Sequence, residues 1–357
     1  MKQHELWRIT LDTNPEDCNL SCTMCEEHSP HSDFMEKLYR ETGVKHRRMP
    51  GEWLEPIFEQ AAKLGVREII PSTMGEPLGY RYFEKIIDLC AGYGILMNLT
   101  TNGTFPGRTA TGWARLIVPV TSDVKISWNG ATAATAESIM KGIHFEKALQ
   151  NVRDFVAIRN RHFEQSGHYC RLTFQLTFME NNMHELADIV GLAASLGVDR
   201  VKGHHLWAHF DEIKALSFRR NEAAAERWNG YVAHDIEAQR EIAEQTGKTI
   251  LLENIIPMDN GQSTGIPDGY ECPFLGKELW ISATGQYAPC CAPDEQRRSL
   301  GDFGNLQQCG IQEVIESETY EQLLTNYKQH SLCRTCTMRK PINQPIKHAN
   351  TSFTTTD

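Results

Sequence analysis

The stretch CNLSCTMC at residues 18–25 places three cysteines on one short segment. Cys18, Cys22 and Cys25 are separated by spacings of four and three residues. Three thiolates on a single loop can hold three irons of a cubane iron–sulfur cluster and leave the fourth iron without a protein ligand. An iron in that position is open to another molecule, so this segment is the first candidate reaction site.

The residues before this segment predict where it lies in the fold. Trp7, Ile9 and Leu11 alternate with polar residues, which is typical of a strand, and residues 14–17 form a turn sequence. The cysteines therefore follow a first strand. In α/β barrels, the loops after the strands carry the chemistry.

Strand-like and helix-like segments alternate from residue 1 to about residue 210. Further strands are predicted at residues 67–72, 95–101, 123–128, 171–178 and 199–205, with helical patterns between them. Six strand–helix units predict an α/β fold with a parallel sheet. Ligands of such a sheet collect at the carboxyl ends of its strands.

In this position the pattern Cys-x3-Cys-x2-Cys resembles the cluster loop of the radical S-adenosylmethionine (SAM) superfamily. The resemblance implies a partial (β/α)6 TIM-type barrel over roughly residues 5–210. It also implies that the open iron chelates the methionine moiety of SAM, and that an electron from the cluster cleaves SAM to a 5'-deoxyadenosyl radical. A structural zinc site, with His28 or His31 as fourth ligand, is the alternative for this loop taken alone.

Several predicted strand ends resemble the SAM contacts of that superfamily. Residues 74–77 resemble its Gly-Gly-Glu motif for the methionine amino group, with Met74 in place of the first glycine. Residues 101–103 resemble its Thr-Asn-Gly turn, and residues 127–130 stand where relatives often have Ser-Leu-Asp-Gly. The resulting candidates for SAM binding are Met24, Gly75, Glu76, Asn102, Ser127, Asn129 and Lys141.

The resemblance also implies roles for some of these candidates. Ser127 is expected at the SAM carboxylate or ribose, Met24 near the adenine, and Lys141 at the carboxylate. The plain alternatives are an ordinary strand-to-helix turn at residues 74–77, loop packing for Met24 and a helix-surface lysine at position 141.

A second set of cysteines lies near the end of the chain, at positions 272, 290, 333 and 336. Alternation around Gly285 predicts a hairpin between Cys272 and Cys290. The order Cys-x12-Gly-x4-Cys, followed by Cys333 and Cys336 as Cys-x2-Cys, resembles the C-terminal extension called SPASM, or its shorter twitch form, over about residues 266–340. That resemblance implies one auxiliary 4Fe-4S cluster held by these four cysteines, and a zinc ribbon is the alternative.

Polar side chains in the predicted barrel are candidates for catalytic or substrate contacts. Polar groups on an inward barrel face cost free energy unless they meet a ligand, water or one another. The candidates are Gln175, Thr177, His204, His205, Glu253 and Cys309. A satisfied buried histidine is the alternative for His204 or His205, and an inert structural thiol is the alternative for Cys309.

The length of 357 residues favours more than one hydrophobic core. We expect a barrel over residues 1–215, a helical linker with a possible extra strand over residues 216–265, and a SPASM/twitch domain with a polar C-terminal tail over residues 266–357. The basic run at residues 45–48 is expected to be a solvated loop.

Composition excludes several classes of protein. Hydrophobic residues make up 40% of the chain, charged residues make up 23%, and no apolar run is long enough to span a membrane. The start lacks the apolar core of a signal peptide, so we expect a cytoplasmic protein with no membrane partner. A net charge of −10 argues against nucleic acid as a partner.

The expected function is that of a radical SAM enzyme with two 4Fe-4S clusters and an external electron donor such as flavodoxin or ferredoxin. Because the barrel starts near Met1, with no leader-binding domain before it, we expect a small-molecule natural-product or sugar-like substrate that is oxidised, epimerised or eliminated. A maturase that modifies a ribosomally made peptide is the alternative. A non-catalytic zinc-binding protein is the alternative from another class.

Anaerobic reconstitution with iron and sulfide tests the cluster hypothesis. We expect about eight irons per chain for two cubane clusters. Cys22→Ala should abolish formation of 5'-deoxyadenosine, whereas Cys333→Ala should retain some SAM cleavage but lose turnover. Bound zinc with no iron or sulfide would contradict the cluster assignment.

Overall fold

The computed structural model describes residues 5–72, 74–258, 266, 268–292, 294–336 and 338–341. Its strands are β1 (Arg8–Leu11), β2 (Ser21–Cys22), β3 (Glu68–Ile70), β4 (Leu96–Thr101), β5 (Thr121–Ser127), β6 (Met140–Lys141), β7 (Arg171–Phe178), β8 (Arg200–His205), β9 (Leu251–Glu253), β10 (Tyr270–Glu271), β11 (Glu278–Ile281), β12 (Tyr287–Ala288) and β13 (Lys340–Pro341). Its helices are α1 (Phe34–Thr42), α2 (Leu54–Lys63), α3 (Phe83–Tyr93), α4 (Ala110–Ile117), α5 (Ala133–Ile139), α6 (Phe145–Ser166), α7 (Leu186–Leu196), α8 (Asp211–Lys214), α9 (Glu222–Thr246), α10 (Asp294–Arg298), α11 (Ile311–Ile315), α12 (Glu318–Asn326) and α13 (Ser331–Arg334).

Nine of these strands form one sheet, in the order β12-β11-β1-β3-β4-β5-β7-β8-β9. Neighbours in the run β1-β3-β4-β5-β7-β8 are parallel, and helices connect successive strands of this run. The α/β class and the six parallel strands of a partial barrel are therefore confirmed. The register brings the carboxyl ends of these strands to one rim, where the loops lie that follow β1, β3, β4 and β5.

Both edges of this parallel run are extended by later parts of the chain. β11 lies parallel to β1, with Glu278 opposite Arg8, and β12 turns back against β11 to complete a hairpin. β9 lies parallel to β8 at the other edge. Strands on both sides of the domain boundary expected at residue 266, β9 before it and β11 after it, thus belong to one sheet. The polar tail expected at the chain end falls outside the described residues, which stop at residue 341.

Apolar residues at alternate positions of the strands build the core between sheet and helices. Phe174 and Phe178 of β7 are fully buried. The ring of Phe174 stacks on Trp128 at 4.4 Å, and the ring of Phe178 lies 4.7 Å from Trp228 of α9. No helix within the described ranges combines the length and the apolar character needed to cross a membrane.

The opposite face of the strands carries paired charges. Arg8 donates to Glu68 at 2.9 and 2.5 Å and lies 3.5 Å from Glu278. Thr10 donates to Glu278 at 2.7 Å, and Asn98 donates to Glu68 at 3.1 Å. Buried charges are tolerated where hydrogen bonds and opposite charges offset the loss of water. The interior of the barrel is therefore polar, and this network ties β1 to both of its neighbours.

Arg8→Met should lower the stability of the fold, because it leaves Glu68 and Glu278 without their shared cation. Removing one partner of a buried pair costs about 3 kcal/mol or more, and the measurement is the urea midpoint of the apo protein. Lys63→Met, on the exposed surface of α2, is the control and should leave the midpoint near that of the wild type. Equal midpoints for the two variants would show that the interior network does not stabilise the fold.

Candidate functional site

The cysteine loop lies at the carboxyl end of β1. The short strand β2 in the middle of this loop pairs antiparallel with β6, and Ser21 lies opposite Lys141. The backbone N–H of Thr23 also donates to the carbonyl of Ile139 at 2.9 Å. Backbone hydrogen bonds therefore fix the loop on which Cys18, Cys22 and Cys25 lie.

Basic residues of the segment before β3 anchor the turn that precedes the cysteines. Arg47 donates to Glu16 through its backbone N–H at 2.6 Å and through Nε at 2.7 Å, and Arg48 donates to Asp17 at 2.5 Å. The side chain of Arg47 is only 12% exposed. The expectation of a solvated basic loop at residues 45–48 is thus wrong for Arg47. The paired residues are 31 positions apart in the chain, so a local sequence pattern does not predict the pairing.

The three thiols of the loop are partly buried and close enough to affect one another. Burial raises the pKa of Cys22, and the neighbouring Cys25 and Cys18 raise it further. Burial also raises the pKa of Cys25 to about 12, although the N–H of His28 donates to its sulfur at 3.4 Å. Metal binding stabilises such thiols as thiolates.

The donor chemistry of this loop fits an iron–sulfur cluster. The described residues contain no group of three or more His, Cys, Asp or Glu side chains that converges on a single metal ion. A cubane cluster instead spreads its thiolate ligands over separate irons. Cys18, Cys22 and Cys25 would hold three of those irons.

Gly75 allows the loop after β3 to pack against the turn before the cysteines. Its φ is +71°, in the left-handed region that favours glycine. A Cβ at this position would lie 2.3 Å from the carbonyl oxygen of Asn14 and 2.9 Å from that of Asp17. The next residue, Glu76, donates its backbone N–H to Asp17 at 2.7 Å. The glycine is thus required by contact with the protein itself.

The carboxylate of Glu76 is buried and bonded to the end of β4. It accepts hydrogen bonds from Thr101 Oγ1 at 2.7 Å, the N–H of Asn102 at 2.7 Å and the N–H of Leu78 at 3.3 Å. Burial raises the pKa of Glu76 to about 7 against the effect of these donors. Its role toward the SAM amino group stays a prediction.

Asn102 connects the end of β4 to the cysteine loop. Its Nδ2 donates to Asn19 at 2.8 Å and lies 3.8 Å from the sulfur of Cys18. Its Oδ1 accepts from the N–H and the hydroxyl of Thr104 at 3.0 and 2.6 Å. Asn102 therefore lies next to the cysteine loop, and its contact with SAM stays a prediction.

The other candidates for SAM contacts occupy different environments. Ser127 ends β5 and is half-buried, opposite Gln175. Asn129 is buried and accepts the N–H of Thr177 at 2.9 Å, so it ties β5 to β7. Met24 packs against the core from the cysteine loop, whereas the side chain of Lys141 is exposed.

Four of the candidates for substrate contacts share the inner face of the barrel, Glu253 among them. Gln175 lies opposite both Ser127 and Lys202, and Thr177 lies opposite His204. Burial, followed by the charge of Lys202, lowers the pKa of His204 to about 4. This histidine is therefore neutral near pH 7.

Glu253 lies on the inner face opposite Lys202, whereas His205 does not. His205 is on the outer face, because successive strand residues point in opposite directions, and its ring lies 5.5 Å from Phe178 and 4.8 Å from Trp228. Glu253 of β9 binds Arg200 at 2.7 Å and Lys202 at 3.3 Å. Burial alone would raise the pKa of Glu253, but Lys202, Arg200 and Lys340 lower it to about 2.

The second set of thiols also gathers in space. The electrostatic neighbours of Cys333 include Cys290, Cys272 and Cys336. Burial raises the pKa of Cys272 to about 11 and that of Cys333 to about 12. Backbone N–H groups donate to two of the sulfurs, those of Cys272 at 3.4 Å and Cys290 at 3.3 Å. Such donors tune the sulfur ligands of a cluster.

A fifth thiol joins this group and a sixth does not. Cys291 shares a hydrogen bond with Cys290, which lowers the pKa of Cys290 to about 7. Cys309 instead donates from its sulfur to the carbonyl of Asn305 at 3.6 Å, in the turn after β12. Cys309 is therefore held by its own turn, and a contact with substrate stays a prediction.

A cavity of about 300 Å³ lies where the barrel rim meets the hairpin of the extension. Asp12, at the end of β1, and Arg47 contribute to one wall, and Trp280, Tyr287 and Arg297 contribute to the other. The cavity thus opens beside the turn that leads into the cysteine loop. Its volume is within the range of small-ligand sites.

Two lysines of the inner strand faces were not among the candidates chosen from the sequence. Lys125 and Lys202 lie on the same face as the candidates Ser127 and Gln175. The signal that identifies them is the period of two: Asp123, Lys125 and Ser127 alternate with apolar residues in β5.

Family models match both parts of the chain: the Radical SAM superfamily model matches residues 15–191, and the SPASM iron–sulfur cluster-binding domain model matches residues 272–337. The chain belongs to the radical SAM superfamily. Its cofactors are accordingly SAM, a 4Fe-4S cluster in the barrel and an auxiliary iron–sulfur cluster in the SPASM domain. The first match includes the cysteine loop at residues 18–25, and the second includes the four cysteines near the end of the chain.

Two relatives are known as PqqA peptide cyclases. That of Methylocella silvestris is 24% identical over 288 residues, which is 80% of this chain and 70% of the relative. That of Methylorubrum populi is 28% identical over 52% of this chain and 48% of the relative. The chain thus spans about half the length of the second relative.

A solved structure with a similar fold is that of SuiB from Streptococcus suis bound to S-adenosylmethionine. Its TM-score is 0.62 at 16% identity, and the match covers 90% of this chain and 69% of SuiB. At this level of identity the similarity concerns the fold alone.

Gly75→Ala should weaken the support of the cysteine loop, because the added methyl group meets the carbonyls of Asn14 and Asp17. We expect a lower urea midpoint and a lower iron content after reconstitution. Gly65→Ala is the matched control: Gly65 has φ +74° with nothing within 4 Å of an added Cβ. That control meets only the cost of a left-handed backbone, about 1 kcal/mol. Equal iron content in the two variants would contradict the packing role of Gly75.

Proposed function

We propose that this chain is a maturase that modifies a ribosomally made peptide. The observation that carries the proposal is its similarity to a PqqA peptide cyclase over 80% of its length. This match is longer than the barrel, so it includes part of the cysteine-rich extension. A protein similar in fold, SuiB, binds the precursor peptide SuiA, which agrees with a peptide substrate.

The thiol sets have separate roles in this proposal. Cys18, Cys22 and Cys25 would hold the SAM-binding cluster at the barrel rim. The group of Cys272, Cys290, Cys333 and Cys336 would hold the auxiliary cluster. When bound, SAM and its cluster supply a carbon radical that removes hydrogen from an unactivated carbon. We further propose that an external flavodoxin or ferredoxin delivers the electron.

Residues in several parts of the fold are candidates for binding SAM and substrate. Asn102 lies beside the cysteine loop and Ser127 lies on the inner face at the end of β5, and we propose that both bind SAM. The cavity beside β1 and the hairpin would admit the peptide, with Trp280 providing an apolar wall and Arg297 a charged one. Gln175 and His204, on the inner face, would meet the residue that reacts.

The peptide replaces the small-molecule substrate as the leading hypothesis. The expectation of a sugar-like or natural-product substrate rested on the absence of a leader-binding segment before the barrel. The relatives named above act on the PqqA peptide, and their similarity favours the maturase alternative. A cyclase-type outcome, in which a bond forms within the peptide, is the reaction we propose.

Co-expression of the chain with the short peptides encoded beside its gene tests this function. We expect one peptide to show a stable mass change by mass spectrometry, because hydrogen removal leads to a new covalent bond. The change should be absent with Cys22→Ala, which removes a thiolate of the SAM-binding cluster.

Two controls make the result decisive. The purified, reconstituted enzyme must cleave SAM to 5'-deoxyadenosine, and Lys63→Met should modify the peptide as the wild type does. Unchanged peptides beside an enzyme that cleaves SAM would contradict the maturase, and a metabolite altered only in cells that carry the gene would restore the small-molecule substrate.

A further inference from the structure

Lys125 is a buried lysine of the barrel interior without an acceptor. It lies on the inner face of β5, one inward position before Ser127, and its side chain is only 8% exposed. Its ammonium group makes no hydrogen bond or ion pair with any described residue. A buried lysine is rarely left without a partner, because removing its charge from water is costly.

The carboxylates near Lys125 are already engaged by other cations. Asp123 binds Arg200 and accepts the hydroxyl of Thr173 at 2.8 Å. Glu68 binds Arg8. Burial, followed by the charge of Lys202, lowers the pKa of Lys125 to about 7. The interior therefore contains a lysine whose neighbouring carboxylates are bound to other cations, so that its amine has no acceptor of its own.

Gln175 supplies a second, independent observation in the same space. Its Oε1 atom is buried and has no hydrogen-bond partner. Gln175 lies diagonally across from Lys125 on the neighbouring strand and directly opposite Lys202. Diagonal neighbours in a sheet are within reach of long side chains. The interior thus offers an unused acceptor beside an unused donor, and unsatisfied buried groups of this kind are rare.

One chemical group satisfies both residues. A carboxylate accepts from Lys125, and an adjacent amide N–H donates to Gln175 Oε1. An acidic residue of a peptide carries both features, because its side chain ends in a carboxylate and its backbone supplies the N–H. A neutral glutamine of the same size also offers an acceptor oxygen and N–H donors, but its oxygen carries no charge, and hydrogen bonds between charged groups are the stronger ones.

We propose that Lys125 and Gln175 bind an acidic residue of the substrate in the barrel interior. The identity of that residue as part of a peptide rests on the proposed function. Lys125 lies one inward position before Ser127, the candidate for SAM binding, so the proposed site is separate from that candidate contact. The pair acts as a specificity determinant that selects acidic over neutral residues.

Equilibrium dialysis with small probes tests this site on the reconstituted holoenzyme with SAM bound. The probes are N-acetylglutamate methylamide, its glutamine counterpart and glutarate. We expect the wild type to bind the glutamate probe at least about tenfold more tightly than the glutamine probe, because hydrogen bonds to charged groups are the stronger ones. Lys125→Met should remove this preference, and Lys125→Arg should retain part of it.

A matched control and an independent readout separate binding from folding and from SAM. Lys147→Met, on the exposed surface of α6, should keep the wild-type preference. SAM cleavage without probe should be the same in Lys125→Met and the wild type, and the urea midpoint of the variant should be no lower because a buried charge is removed. A loss of SAM binding in Lys125→Met would assign the lysine to SAM and overturn the proposal. Equal binding of the glutamate and glutamine probes to the wild type would also overturn it.

The remaining outcome distinguishes the source of the carboxylate. Glutarate lacks the amide, so binding weaker than that of the glutamate probe supports a peptide residue. Equal binding of both would overturn the peptide source and leave a site for a small diacid. If co-expressed peptides stay unmodified while the probe preference holds, the maturase fails and the carboxylate site stands.

Discussion

The pairing of β1 on both of its sides is the constraint on which the rest of the structure depends. β3 of the barrel lies along one edge and β11 of the extension lies along the other. Arg8 binds a carboxylate from each neighbour, Glu68 and Glu278. Because β1 leads directly into the cysteine loop, the same strand positions that loop and the hairpin of the SPASM domain.

The strands could be predicted from the alternation of apolar residues, and the two cysteine sets could be predicted from their spacing. Alternation of apolar residues is local, so it is visible in a chain without its neighbours. The attachment of β11 to β1 was not predicted, and neither was the pair of Arg47 with Glu16. Both depend on residues far apart in the chain. The inner-face position of His204 and the outer-face position of His205 follow from period two once the strand is placed.

The interior of the barrel combines satisfied and unsatisfied polar groups. The ion pairs of Arg8 and Arg200 hold adjacent strands together, whereas the Lys125 ammonium group and the Gln175 Oε1 atom make no hydrogen bond with the described residues. A sheet optimised for stability alone would place apolar residues at these positions. Local departures from that rule are expected at sites that await a ligand.

The hydrogen bond between Thr10 and Glu278 joins residues that are 268 positions apart. Contacts over such separations form late, because the intervening chain must first be brought together. During synthesis the first strand lacks one of its two neighbours until the hairpin leaves the ribosome. The strand that leads into the cysteine loop therefore gains its second neighbour only after the hairpin of β11 and β12 has been made.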